Sequence, residues 1–160
     1  MHPIVVVVDD IRSGHNVGSV FRTADGAGLA GVYVTGYSAT PGHREVEKVA
    51  LGAGDLLPWS RDADVTAVLA RLRGEGYTIA ALELTPASIP VEAVTLEHFP
   101  MALVLGNEVT GVKPAVLEAA DIVIGLPQYG KKESLNVSVA FAVAAYGLVA
   151  RFRALEGARG

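Results

Sequence analysis

No cysteine occurs among the 160 residues. Disulfides, thiolate zinc sites and a cysteine nucleophile are thereby excluded, and the chain is compatible with a reducing cytoplasm. Histidine is scarce, with four residues, and none has a partner at metal-ligand spacing, so no metal site is expected. Long apolar runs are also missing. The longest, residues 4–8 and 137–145, fall short of the roughly 20 residues that span a bilayer. Met1-His2-Pro3-Ile4 places no cationic segment ahead of a hydrophobic one, so no secretory signal is expected. Nor is there an excess of positive charge. A net charge of −4 argues against a protein that coats itself in nucleic acid by bulk electrostatics.

What is present is a core. The 51% hydrophobic and 19% charged content over this length suits one compact domain with a continuous interior, over residues 1–160. Charge is uneven. Residues 61–120 carry four Lys/Arg against eight acids, whereas residues 121–160 carry five Lys/Arg against three acids. A local cationic rim on an acidic body is consistent with that split.

Residues 4–8 form a β-branched run closing on Asp9-Asp10, the pattern of a strand covered on both faces. A helix is expected from near Asn16 to Gly26 or Gly28, then short elements: strand 32–34, helix 45–51 and strand 57–60. Val65, Val68, Leu69 and Leu72 lie at helical spacing, and strands are expected at 77–84, 101–105 and 121–126. Pro114 opens a short helix to residue 120, and a last helix runs from Ser134 to about Leu155. That last helix is apolar on nearly all sides, which predicts burial, with part of it free to form a two-fold interface. Strands alternating with helices mean an α/β domain with a mostly parallel sheet.

In open sheets of this kind ligands sit beyond the carboxyl ends of the strands. Three polar loops fall there: Asp9 to Asn16, leading to Arg22; Gly106 to Gly111; and Gln128 to Asn136. The usual phosphate signatures fail. Gly14 to Ser19 lacks the spacing and lysine of a P-loop, and Gly26 to Gly31 follows a helix instead of opening one. Ser134 is available for a Ser-His-Asp hydrolase, but no Gly-x-Ser-x-Gly turn is present.

Asn16-Val17-Gly18-Ser19-Val20-Phe21-Arg22-Thr23-Ala24, Leu103 to Val112, and Ile124 to Gln128 with Ser134-Leu135-Asn136-Val137-Ser138-Val139-Ala140 resemble the three motifs of SpoU (TrmH-like) RNA 2′-O-methyltransferases of the SPOUT class. The likeness spans almost the whole chain, in order. Gln128 departs from it, replacing the usual methionine. The resemblance implies a parallel-sheet α/β fold with a trefoil knot at the C-terminal end, a homodimer, S-adenosyl-methionine as cofactor, and tRNA or rRNA as substrate. It places the adenosyl group near Leu84, Gly106, Leu126 and Leu135, and the 2′-hydroxyl chemistry at Asn16, Arg22, Glu108, Ser134 and Asn136.

Each residue also has a structural reading. Arg22 is either a surface arginine with its stem on apolar neighbours or a guanidinium fork on the phosphate beside the target ribose, and the resemblance implies for it either stabilisation of the developing alkoxide or acceptance of the 2′-hydroxyl proton. Asn16 and Ser134 are natural helix caps, and Asn136 can bond the first turn. Glu108 is either a solvated loop acid or the residue that orders the third loop or Arg22. Lys131 and Lys132 are a solvated turn, or a source of salt-dependent RNA affinity, with Arg12, His15, His43, Arg44 and Lys48 adding to the rim. Two other classes stay open at this point: a non-catalytic RNA- or nucleotide-binding domain that keeps the cleft, and a nicotinamide oxidoreductase.

Overall fold

The computed structural model describes residues 1–160. Six parallel strands form one sheet: β1 (His2–Asp9), β2 (Leu29–Thr35), β3 (Trp59–Asp62), β4 (Thr78–Leu82), β5 (Met101–Leu105) and β6 (Ile122–Ile124). Their order across the sheet is β3-β2-β1-β5-β4-β6. β1 is central, pairing with β2 on one side and β5 on the other. Its continuous β-branched run follows from that position, since both faces are covered.

Alternation along the strands divides the core in two. Ile4, Val6 and Val8 of β1, with Met101, Leu103 and Leu105 of β5, face α1 (Gly14–Gly26), α2 (Arg44–Ala50) and α6 (Val137–Arg159). Val5 and Val7, with Ala102 and Val104, face α4 (Val65–Gly74) and α5 (Pro114–Ala119). A four-residue helix, α3 (Ala53–Leu56), precedes the edge strand β3. Phe21 and Phe141, both fully buried, bring α1 and α6 together over the first face.

Several boundaries differ from the sequence expectation. The first helix begins at Gly14, because Ser13 caps it by accepting from the Asn16 amide. The edge strand is shifted to 59–62, and the strands expected at 77–84 and 121–126 are trimmed to 78–82 and 122–124. The last helix begins at Val137, capped by Asn136 rather than Ser134.

That helix is also not buried all round. Phe141, Ala144, Ala145, Leu148 and Val149 face the core, while Val139, Val143 and Tyr146 are about half exposed on the opposite side. At 23 residues, with a mean hydropathy of 1.4 over its most apolar window, it is long and apolar enough to match a membrane span. Its inner face is nonetheless part of the sheet's core.

Candidate functional site

The carboxyl ends of β1, β4, β5 and β6 lie side by side, and the segments leaving them meet. As β1 ends, Asp10 adopts a left-handed conformation (φ 50°), which aspartate tolerates better than most residues. Its carboxylate accepts from the Tyr37 amide at 3.0 Å and pairs with Lys113 Nζ at 2.8 Å. Lys113 also reaches the buried Asp9, at 3.2 Å, while Asp9 accepts from the Thr35 hydroxyl at 2.8 Å. Burial pushes the Asp10 carboxyl up, but the Lys113 hydrogen bond, the Tyr37 amide and the lysine's charge outweigh it and leave the group below its ordinary range. The Asp10 hydrogen bond raises Lys113 in turn, against the opposing effect of its burial.

The β5 loop is tied to the same place. Asn107 donates to the Asp10 carbonyl at 2.9 Å and to the Tyr37 hydroxyl at 2.8 Å. Glu108 accepts from the amides of Arg12 and Ser13, both at 2.8 Å, and from Asn16 Nδ2 at 3.1 Å. Burial raises Glu108, but the backbone amides of Arg12, Glu108 and Ser13, together with the Asn16 side chain, hold it lower than an ordinary glutamate. Glu108 therefore orders the first loop. It bonds neither the third loop nor Arg22, contrary to the expectation for it. Asn136 continues the chain of contacts, donating to Asn16 Oδ1 at a long 3.5 Å while its own Oδ1 accepts from the Ser138 amide at 2.9 Å.

Beside this network lies a cleft of about 230 Å³, walled by the ends of β4 and β5, the segment after β6 and the first turn of α6. Leu84, Gly106, Leu126 and Leu135 all line it, as do Glu108 and Ser134. Gly106 is required there: a Cβ would overlap the Gly111 carbonyl and the Val112 nitrogen. Asn16 and Asn136 stand next to the cleft through their bonds to Glu108 and to each other. Arg22 does not join them. It is exposed on α1, six residues beyond Asn16 and so about 120° around the helix, and takes no part in the bonds around Glu108. Ser134 is exposed and Lys131 and Lys132 lie open on the same segment.

Sequence reasoning missed two features. The Asp9–Asp10–Lys113 cluster joins residues about a hundred positions apart, and only the pair of acids ending a buried strand hinted at it. Glu83, on the cleft wall just past β4, falls within the stretch 77–84 expected as strand and was not singled out.

Residues 3–146 match the model of the SpoU rRNA Methylase family, and the chain belongs to that family. A tRNA (guanosine(18)-2′-O)-methyltransferase of Borreliella burgdorferi is 33% identical over 150 residues, covering 94% of this chain and 67% of that protein. The crystal structure of the A. aeolicus TrmH/SpoU tRNA modifying enzyme superposes with a TM-score of 0.85 at 29% identity, over 98% of this chain and 78% of the other. An AdoMet-bound rRNA methyltransferase from Sinorhizobium meliloti gives 0.84 at 26% identity, over 92% and 57%. Other curated relatives are longer, the chain spanning 50% to 59% of their length.

Proposed function

We propose that this chain is an S-adenosyl-methionine-dependent RNA methyltransferase that transfers a methyl group to a ribose 2′-hydroxyl of tRNA or rRNA. One observation carries the reading: the positions expected to hold the adenosyl group line a single cleft, and the hydrogen-bonded Glu108–Asn16–Asn136 series runs beside it. Eight of the 16 lining residues are hydrophobic, which suits an adenine ring.

When bound, the cofactor supplies a methyl already activated by its sulfonium. The protein's part is alignment. Leu84, Gly106, Leu126 and Leu135 hold the adenosyl group. Asn16, Glu108, Ser134 and Asn136 fix the ribose at the cleft mouth, with Asn136 also capping α6. Arg22 acts as a guanidinium fork on the substrate backbone in preference to a proton acceptor. Its role is to grip the neighbouring phosphate and stabilise the developing alkoxide. Lys131 and Lys132 add salt-dependent affinity for the RNA backbone.

The working form is a homodimer in the cytoplasm. Two features support the dimer: the half-exposed apolar face of α6 at Val139, Val143 and Tyr146, and an Arg22 that its own chain leaves apart from Asn136. In the dimer, Arg22 serves the partner's cleft. The C-terminal third carries the family's trefoil knot, in keeping with a β6 that pairs with β4 while its following segment returns to the β5 loop.

Calorimetry with S-adenosyl-methionine and with NAD tests the cofactor. Binding of the sulfonium compound is expected; tight NAD binding with no response to S-adenosyl-methionine would remove the proposal.

A further inference from the structure

The cleft is lined by three carboxylates, from Glu83, Glu108 and Glu133, and by no lysine, arginine or histidine. The carboxylates are not equivalent. Glu108 spends both oxygens on the first loop. Glu133 lies exposed on the segment after β6. Glu83 is half-buried at the end of β4 and is fixed by one oxygen: Oε2 accepts from the Val112 amide at 2.9 Å. The space for that contact comes from Gly111, where φ is 74° and a Cβ would stand 2.5 Å from the same oxygen. The other oxygen, Oε1, accepts no hydrogen bond from the protein. A carboxylate held in place on the wall of a cleft that carries no cation favours a positively charged ligand.

We propose that Glu83 makes this cleft select a cationic methyl donor over its neutral product. The inference rests on the cofactor assignment above. During transfer the ribose oxygen bonds the methyl carbon and gives up its proton, the carbon–sulfur bond breaks, and sulfur keeps the electron pair. The sulfonium thus becomes a neutral thioether. Everything else in the ligand is unchanged, so a fixed negative charge on the cleft wall would separate donor from product by charge alone. The spent cofactor is held less tightly and is exchanged for a fresh one.

The test uses three ligands that share the adenosine and the amino-acid tail: S-adenosyl-methionine, sinefungin (an amine cation at the sulfur position) and the neutral S-adenosyl-homocysteine. Calorimetry on the intact protein should show the two cations bound more tightly than the neutral compound by about tenfold, the size of one charge pair at close range in a half-wet site. That ratio should shrink as salt is raised. Glu83→Gln retains an acceptor for the Val112 amide and removes the charge, and it should bring the ratio to near one while leaving S-adenosyl-homocysteine binding within about twofold of wild type. Equal affinities for all three ligands in the wild type would overturn the proposal, even if the variant failed to fold. So would a Glu83→Gln variant that weakens all three alike, the signature of a contact to the ribose or of a structural role. Binding of none of the three would overturn the cofactor assignment together with this inference, whereas binding without charge preference would leave the assignment standing.

Discussion

The two walls of the cleft are built differently. On the β1–β5 side, Asp9, Asp10, Asn107, Glu108 and Lys113 close a network in which carboxylates, amides and an ammonium satisfy one another. On the β6 side, residues 126–135 make no hydrogen bond to the rest of the chain, and the next anchor is the Asn136 cap of α6. One wall is set by the fold; the other carries Leu126, Ser134 and Leu135 on a segment held mainly by its ends. A site divided in this way presents a preformed floor to the ligand and leaves the opposite side free to adjust to it.

Breaking the ordered wall should have the larger effect on stability. Lys113→Met leaves Asp9, only 2% exposed, with a charge partnered by a hydroxyl alone. We expect a loss of about 2 kcal/mol, below the roughly 3–5 kcal/mol of a fully buried pair because Lys113 is itself half exposed. Thermal unfolding should then fall by about 4–8 °C. The pH dependence has a definite sign. Asp10 is depressed in the folded state, so its contribution is present above the unfolded carboxylate range and is lost as pH falls through the lower folded value. Lys113 is raised, so its contribution is complete below the unfolded lysine range and is lost as pH rises through the higher folded value. The variant should therefore show a flatter stability profile at both extremes. An unchanged unfolding midpoint would mean that the two walls do not differ in the way described.

The sparse wall should behave oppositely. Lys131→Ala and Lys132→Ala should leave stability within about 0.5 kcal/mol of wild type. Each should weaken RNA binding at low salt and reduce the slope of log affinity against log salt by about 0.7 to 1. A filter-binding series in potassium chloride with unmodified tRNA or rRNA reads this directly. A slope identical to wild type in both variants would detach the segment from the RNA path.

Legibility in the sequence follows the same division. The parallel sheet was readable because β1 and β5 are unbroken apolar runs, a pattern that sheets buried on both faces impose. The three polar segments were readable because each follows a strand, and all but Arg22 of the proposed residues converge on or beside the cleft. What escaped depends on distant partners. That Glu108 bonds Arg12 and Ser13 instead of the third loop is decided by the β1–β5 neighbourhood, which local pattern does not encode. The cap of α6 was misplaced because Ser134 and Asn136 are both good capping residues and only the chain's path chooses between them. That part of α6 is left uncovered was legible, but which face was not, because an all-apolar helix gives no sign of which side lacks a partner within the chain.

The most direct measurement is transfer of a radiolabelled methyl from S-adenosyl-methionine to unmodified tRNA or rRNA, followed by digestion to nucleosides. The account predicts label on 2′-O-methylated ribose with the wild-type protein, and a loss of at least about a hundredfold in rate for Arg22→Ala with cofactor affinity nearly intact. Label on a base, or Arg22→Ala turnover equal to wild type, would contradict it.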